Sequence, residues 1–341
     1  MSDHRAVYLQ SNDATANAVL VFARHDDGSL VSIASIATGG RGTGKPHLAS
    51  QSSVALSGDG CWVLVVNAGS DDLSLLAVEG GSLRLADRVS SGGAAPTSVA
   101  VWGSLVYVLN NGSASIAGFR IERGRLVALE DSGRELSSAK ADPAQVAFSR
   151  DGRMVVVTER GTDAITTFAV GEDGRVRDRA TITSSGKTPY GFDFTPDGAM
   201  IVTEAFGGIV GRAAASSYAL TATGAEPVSG SVGDTRSEVC WAVVTHDGRF
   251  AFVTNFGDGA ISSYAISPDG ALTLRDAVAG STRLGQKGVR DEAITRDGGY
   301  LYAIDADAQQ IFGWAIAENG ELAAIGAFDG VPATAAGLAA A

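Results

Sequence analysis

Apolar and polar residues alternate along most of the chain in short runs, and no run keeps the 3.6-residue period of a helix. One phrase recurs: an apolar run, an Asp-Gly turn, a β-branched run that ends on a polar residue, and two further alternating runs. It is clearest at 53–83, SVALSGDGCWVLVVNAGSDDLSLLAVEGGSL, and returns at 145–176 and 242–272. With four weaker copies the phrase occurs about seven times, spaced about 43 to 51 residues apart. Each copy predicts three or four short antiparallel strands.

A unit of four short strands repeated seven times is typical of a β-propeller blade. The sequence therefore predicts an all-β, seven-bladed β-propeller in which residues 1–341 form a single domain. We expect the blades to start near residues 6, 52, 97, 144, 190, 240 and 290. The first copy lacks its opening strand, and 331–341 resembles that strand, so this segment is expected to complete the first blade and close the ring. Closure removes two exposed sheet edges.

Composition narrows the possible partners. The chain has 26 basic and 38 acidic residues, a net charge of -12. Such a surface repels phosphate backbones and anionic lipids, so we expect neither nucleic acid nor membrane as a partner. Two cysteines and four histidines are too few for a disulfide framework or a zinc-finger array. Since no signal sequence or long apolar run is visible, a cytoplasmic location is expected. The 44 glycines suit the many tight turns that a propeller needs.

The second strand of each copy ends on a polar residue, and a propeller would bring these seven residues to one mouth of its channel. They are Asn12, Asn67, Asn110, Glu159, Glu204, Asn255 and Asp305. Asn and Asp at such positions commonly start an Asx turn, whereas glutamate is a poor turn residue. Glu204 and Glu159 are therefore candidate catalytic carboxylates, and Asn255 and Asp305 are candidate substrate-binding residues.

The starts of the channel-lining strands form a second predicted ring. Its members are Ser52, Thr97, Ala144, Tyr190, Cys240 and Arg290. Arg290 either binds an anionic substrate or forms an ion pair with Asp291, Glu292 or Asp305. Tyr190 and Trp241 either form an aromatic wall for a ligand or plug the channel. Arg290 is a candidate catalytic residue, and the two aromatic residues are candidate substrate-binding residues.

Two long loops are expected at the same mouth, where a lid or substrate clamp is usually built. One follows Glu204, and the other, 39–50, carries His47, which is either solvated or substrate-binding. Residues 39–45 spell GxxxxGK, but Pro46 replaces the Ser or Thr that would hold magnesium. No metal site and no cofactor are predicted, although the carboxylates leave room for calcium or magnesium on the axis.

The Ser-x-Asp-Gly turns, the second strands that end in Asn or Glu, and the closing Pro-to-Gly-Leu-Ala segment resemble the seven-bladed propeller lactonase family. This family includes propeller-type 6-phosphogluconolactonases and carboxymuconate cyclases. The resemblance covers the whole chain. It implies a histidine and an arginine at the starts of two successive inner strands, and a glutamate at the end of the later blade's second strand. Here Glu204 matches the glutamate, while Ala144 and Tyr190 occupy the histidine and arginine positions. Arg290 or Arg236 would have to supply the positive charge from another blade.

The sequence and the resemblance together predict a lactonase-like enzyme. It would open or close a small cyclic ester, as a hydrolase or an isomerase, through acid/base chemistry at Glu204, Glu159 and Arg290. The alternative is a propeller that has lost the family's catalytic residues and binds a small ligand or presents an interaction surface. The expected partner is a small molecule, and the ring is expected to be a monomer because it buries its own sheet edges.

Overall fold

A computed structural model of the protein describes residues 5–46, 48–221 and 224–341. The described residues form short strands and two single turns of 3₁₀ helix, at Asn111–Ser113 and Phe206–Gly208. The first four blades contain β1 (Ala6–Gln10), β2 (Ala18–Arg24), β3 (Leu30–Ala37), β4 (Val54–Leu56), β5 (Trp62–Asn67), β6 (Asp72–Glu79), β7 (Ser82–Ser90), β8 (Pro96–Trp102), β9 (Leu105–Asn110), β10 (Ser115–Glu122), β11 (Arg125–Ala128), β12 (Arg134–Glu135), β13 (Pro143–Phe148), β14 (Met154–Glu159), β15 (Ala164–Val170) and β16 (Val176–Thr183).

The strands that complete the ring follow in chain order. They are β17 (Pro189–Phe194), β18 (Ala199–Glu204), β19 (Ala214–Thr221), β20 (Gly224–Gly233), β21 (Val239–Val244), β22 (Phe250–Asn255), β23 (Ala260–Ile266), β24 (Leu272–Ser281), β25 (Val289–Ile294), β26 (Tyr300–Asp305), β27 (Gln310–Ile316), β28 (Leu322–Asp329) and β29 (Ala336–Ala340).

These strands make seven antiparallel sheets of four successive strands, and β12 adds a fifth strand to the third sheet. The inner strands β29, β4, β8, β13, β17, β21 and β25 contact one another in that order and close into a ring. In the first blade β29 pairs with β1, so that Leu9 faces Leu338. The prediction of a seven-bladed propeller closed by its C-terminal strand is confirmed.

The hydrophobic core lies between the blades and not within any one of them. Every pair of neighbouring blades encloses its own cluster of buried apolar side chains, seven clusters in the described part of the chain. Alternation along each strand produces this arrangement, because successive side chains point to the two faces of a sheet and each face meets a neighbouring blade. Tyrosines extend from this core to the next blade: the Tyr107 hydroxyl donates to Gly174 O at 2.9 Å, and Tyr302 to Gly28 O at 2.6 Å.

Repeated Asp-Gly turns join the inner strand to the second strand in several blades. Ser149 Oγ donates to the Asp151 carboxylate at 2.6 Å, which also accepts from the backbone N of Arg153 at 3.1 Å. Gly152 follows with φ +70°, a conformation in which a side chain would be strained. We call the side of the ring that carries these turns the lower face. The upper face then carries the ends of the second strands and the starts of the inner strands.

None of the helices in the described part of the chain has the length and apolarity needed to span a bilayer.

Candidate functional site

The polar residues at the ends of the second strands are buried on the upper face, where they join neighbouring blades. Asn67 accepts from Thr38 Oγ1 at 2.7 Å and donates to Ser74 Oγ at 2.8 Å. Thr38 directly follows the last strand of the preceding blade. Asn110 repeats the contact, donating to the carbonyl of Ser91 at 3.1 Å. Asn67 and Asn110 thus each contact a hydroxyl or backbone group of the blade before them, and we call the set of polar residues at the second-strand ends the joint ring.

Glu204 belongs to the joint ring and has a full set of donors. Its carboxylate accepts from Gly186 N at 2.7 Å and Ser216 Oγ at 2.5 Å, and also from the hydroxyls of Ser184 and Ser231. The side chain is fully buried. Because a carboxylate with donors on both oxygens is well stabilised where it stands, these contacts give Glu204 a structural role.

Glu159 is held in the same way one blade earlier. It accepts from Thr166 Oγ1 at 2.5 Å, from Thr162 Oγ1 at 2.7 Å and from the backbone N and hydroxyl of Ser137. Among the hydrogen bonds and ion pairs of the described residues, none links Glu159 to Glu204 or either of them to Arg290. The three residues share the upper face, as predicted, without a direct contact of these kinds, and the catalytic role of the two glutamates stays a prediction.

Three predicted substrate-binding residues also lie in these joints. Asn255 donates to Ser262 Oγ at 2.9 Å, and that hydroxyl donates to the Asp234 carboxylate. Asp305 accepts from Arg283 at 2.8 and 3.0 Å. Arg236 lies beside this region, 3.9 Å from the Asp258 carboxylate. Asn255 is thus linked to the preceding blade through Ser262. Asp305 is bound by Arg283, which follows the last strand of the blade before it.

The starts of the inner strands differ from the ends of the second strands in their backbone, because five of them carry an irregularity in strand pairing. A bulge of this kind turns a side chain away from the regular alternation. The residues at the irregularities are Thr97, Ala144, Tyr190, Cys240 and Arg290. Two positions before each of them the backbone is left-handed, at Ala95, Asp142, Thr188, Glu238 and Gly288. Five of the six residues of the second ring predicted from the sequence thus share one repeated backbone conformation, and we call these five the inner ring.

The segment Ser50–Ser52 crosses the channel below the inner ring. Ser50 Oγ donates to Thr97 O at 2.7 Å and its carbonyl accepts from Trp241 Nε1 at 2.9 Å. The Gln51 side chain pairs with both backbone groups of Ala242, at 2.8 and 3.1 Å. Blades on opposite sides of the ring are therefore bridged, and the segment separates an upper mouth from a lower channel. The aromatic residues take part in this closure, because Trp241 is fully buried and lies 5.7 Å from the Tyr190 ring.

Cations surround this aromatic floor, and we call the assembly the mouth cluster: Arg160, Tyr190, Cys240, Trp241, Phe256, Lys287, Arg290 and Asp291. The Arg160 guanidinium lies 4.8 Å from the Tyr190 ring centre, and that of Arg290 lies 5.4 Å from the Phe256 ring centre. Lys287 approaches the same Phe256 ring at 5.6 Å. Three cations therefore lie over neighbouring aromatic faces at this mouth.

Each of these three cations forms an ion pair with one carboxylate among the described residues. Arg160 contacts Asp142 at 2.7 Å, Lys287 contacts Glu238 at 3.0 Å, and Arg290 contacts Asp307 at 3.2 Å. The predicted partners of Arg290 were Asp291, Glu292 and Asp305; the ion pair forms instead with Asp307, because Arg283 occupies Asp305.

Buried donors without an acceptor distinguish Arg290 from the joint ring, where the buried atoms left unpaired by the described residues are the acceptor oxygens Asn110 Oδ1 and Asn255 Oδ1. Its side chain is 5 % exposed, and Nε and Nη1 find no acceptor among the described residues. The Tyr190 hydroxyl is buried and likewise unpaired in the described part of the chain. Burial raises the pKa of Tyr190 well above its usual value, so this group stays a neutral donor. Donors that converge without acceptors are suited to binding an anion or an oxyanion.

Asp291, next to Arg290, is the ionisable carboxyl group of the mouth cluster. It is 3 % exposed, and burial raises its pKa to about 7 against the lowering effect of Gly337 N, Arg290 and Trp241. A carboxyl group with this pKa can accept and return a proton near neutral pH.

Sequence reasoning found Arg290, Tyr190 and Trp241 but missed Arg160, Phe256 and Gln51. Arg160 and Phe256 each follow the last residue of a second strand, so their place on the upper face was visible in the repeat. Nothing in the repeat signals that Gln51 crosses the channel, because its partner Ala242 is distant in sequence. His47 lies outside the described residues. In the described part of the chain no three His, Cys, Asp or Glu side chains are placed to hold a metal ion.

Comparison with known proteins places this geometry in context. The family model described as "Lactonase, 7-bladed beta-propeller" matches residues 2–132, 129–205 and 202–336. No curated protein sequence matches the chain. Among solved structures, a Bacteroides fragilis protein provisionally named a 6-phosphogluconolactonase has a TM-score of 0.78 at 18 % identity, covering 100 % of this chain and 99 % of its own. The periplasmic gluconolactonase of Pseudomonas aeruginosa has a TM-score of 0.74 at 16 % identity, covering 98 % of each chain.

Proposed function

Since the chain belongs to the seven-bladed β-propeller lactonase family, we propose that it is a lactonase acting on a small anionic cyclic ester at the mouth cluster. The proposal rests chiefly on Arg290, a buried guanidinium whose nitrogens Nε and Nη1 have no acceptor among the described residues. Arg160 supplies a second cation over the same aromatic floor. One arginine binds the anionic substituent, and the other stabilises the oxyanion that develops on the ester carbonyl.

Ring opening requires a base as well as positive charge. Asp291 takes a proton from water as the water oxygen bonds to the carbonyl carbon. The ester C–O bond then breaks, and the proton passes to the departing alkoxide, which gives a hydroxy acid. The reverse sequence closes the ring. In both directions Tyr190 donates a hydrogen bond and Phe256 packs against the apolar part of the substrate.

The first experiment is a pH-indicator hydrolysis screen of sugar, aromatic and aliphatic lactones, with and without an anionic substituent. It compares wild type with Arg290→Gln and with Arg153→Gln, in which an exposed arginine on the lower face is changed. We expect turnover of an anionic lactone, a loss of about 100-fold in Arg290→Gln, and no change in Arg153→Gln. Equal turnover in all three proteins would overturn the site assignment. Tight binding of a lactone without turnover would favour a non-catalytic ligand-binding propeller.

A second experiment addresses the base. Because the Asp291 pKa is raised to about 7, the carboxylate forms as pH rises through that value, and kcat/KM should rise with it. Asp291→Asn should lower turnover about 100-fold or more and remove this limb of the pH profile. An unchanged pH profile in the variant would show that another group accepts the proton.

A further inference from the structure

The lower channel is a cavity separate from the mouth cluster. It has a volume of about 540 Å³, and its walls come from inner strands of six blades. Gln51 and Ser52 form its closed end, because the segment Ser50–Ser52 crosses the axis there. The other end opens on the lower face beside Arg150 and His246. A ligand can therefore reach this cavity without passing the proposed active site.

Glu292 is the unusual side chain in this cavity. It is 4 % exposed, and neither carboxyl oxygen has a hydrogen-bond partner among the described residues. A buried carboxyl group without donors costs free energy, whereas Glu204 and Glu159 show how fully this protein satisfies its other buried glutamates. We propose that the lower channel binds a small organic cation, an ammonium group on an apolar body, with Glu292 as the principal acceptor.

The charges around Glu292 favour a cation over an anion. Asp193 lies close enough to affect Glu292 electrostatically, and among the described residues its oxygens accept from the backbone N–H groups of Val244 and Phe194 alone. At the opening, the guanidinium of Arg150 donates a hydrogen bond from Nη2 to the carbonyl oxygen of Phe194 at 2.7 Å. Glu292 is therefore buried in the cavity wall, and Asp193 is half-buried between its own backbone partners and the basic groups that act on it at the rim. An ammonium ion can donate to both carboxylates at once.

The walls determine what else the ligand carries. Trp102, Phe148 and Phe194 line the cavity together with aliphatic residues of the other inner strands. Trp102 is 47 % exposed, a large apolar side chain left partly uncovered at the opening. Aromatic faces attract ammonium groups and bury apolar surface, so an arylalkyl or alkyl amine suits the cavity better than a hydrated metal ion.

Binding of such a cation should release a proton. Burial, Asp291 and Asp193 all raise the pKa of Glu292 well above its usual value, and no positive group counters them. Arg150 and His246 act on Asp193, whose pKa is nevertheless raised by burial. Glu292 is therefore a neutral acid before binding. Pairing with an ammonium group converts it to a carboxylate, and one proton leaves to solvent for each cation bound.

Isothermal titration calorimetry of the whole protein with benzylamine tests this proposal. Benzyl alcohol and benzoate serve as a neutral and an anionic probe of similar shape. Glu292→Gln is compared with Glu226→Gln, which changes an exposed glutamate on β20. Titrations at neutral pH in two buffers of different ionisation enthalpy count the protons released. Gln has the same shape as Glu and replaces a buried ionisable group by a neutral one, so we expect the Glu292→Gln protein to fold.

We expect benzylamine to bind wild type and Glu226→Gln equally, with release of about one proton. Glu292→Gln should weaken binding about 30-fold or more, and the proton release should disappear. Benzyl alcohol and benzoate should bind at least about 30-fold more weakly than benzylamine. The proposal is overturned if benzylamine does not bind, if it binds Glu292→Gln as well as wild type, or if benzyl alcohol matches it.

Discussion

The joint ring and the inner ring are both buried and polar on the same face, yet their side chains are satisfied very differently. In the joint ring, Glu204 accepts four hydrogen bonds, and the buried atoms left without a partner in the described part of the chain are two amide oxygens, of Asn110 and Asn255. In the inner ring, Arg290 and Tyr190 are buried with donors that find no acceptor among the described residues. Buried polar side chains that recur in every blade therefore hold neighbouring blades together. Buried donors that occur in only a few blades and have no acceptor mark the place where a ligand can bind.

Removing the closing strand should break both rings at once and has the largest expected effect. Deleting residues 331–341 takes away β29, which pairs with β1 and contacts β25 and β4. It also removes Gly337, whose N–H contacts Asp291. We expect the melting temperature to fall by more than about 10 °C, with loss of a single cooperative transition. Calorimetry checks this, and an unchanged cooperative melt would contradict the closure account.

Removing one carboxylate of the joint ring should lower the free energy of unfolding without lowering turnover. Glu204→Leu leaves the hydroxyls of Ser184, Ser216 and Ser231 and the N–H of Gly186 without their acceptor. We expect a loss of about 3 kcal/mol in the free energy of unfolding, measured by denaturant titration. Glu226→Leu, an exposed change on β20, should cost less than about 0.5 kcal/mol. A similar small cost at both positions would mean that the joint contributes little.

Asp291 should make stability depend on pH. Its folded pKa is about 7, above the value of 3.8 for a free aspartate. Between about pH 4 and about pH 7 the unfolded chain loses this proton while the folded protein keeps it, so this group destabilises the fold increasingly as pH rises. Asp291→Asn cannot titrate. We expect the variant to gain stability over wild type at about pH 8 but much less at about pH 5, as measured by thermal melts at both values.

If the gain of Asp291→Asn were the same at both pH values, the raised pKa would not be present. Arg290, Tyr190, Cys240 and Glu292 are the charged or titratable groups that interact with Asp291, and the variant leaves all of them in place.

The smallest expected effect concerns the backbone that builds the inner ring. Ala95 has φ +47°, a left-handed conformation that glycine adopts without strain. Glycine relieves this strain in the folded state, and the greater flexibility of the unfolded glycine chain offsets only part of that gain. Ala95→Gly should therefore raise the free energy of unfolding by about 0.5 kcal/mol. Ala323→Gly, in the exposed strand β28, should instead lose about 1 kcal/mol. Chemical denaturation of both variants separates the two outcomes, and equal losses would contradict a strained bulge.

The sequence was sufficient for the fold because the signals that specify a propeller are local and repeated. Asp-Gly turns and period-2 strands lie within single copies of the repeat, and the strand missing from the first copy is recognisable at 331–341. The mouth cluster was only partly predictable: Arg290 and Tyr190 could be placed by counting along a blade, whereas the ion pair of Arg290 with Asp307 depends on Arg283 occupying Asp305. A channel plugged by Tyr190 and Trp241 was one of two alternatives, but the crossing by Gln51 could not be predicted, since its contact with Ala242 joins opposite sides of the ring.

A direct comparison of Arg290→Gln with Glu204→Gln tests the central claim, that the inner ring and not the joint ring carries the chemistry. The measurement is kcat/KM on the best lactone of the screen, together with the melting temperature of each variant. We predict that Arg290→Gln loses about 100-fold in kcat/KM with little change in melting temperature. Glu204→Gln should melt several degrees lower and keep kcat/KM within about threefold of wild type. Loss of turnover in Glu204→Gln, with Arg290→Gln fully active, would contradict the account and return the catalytic role to the glutamate.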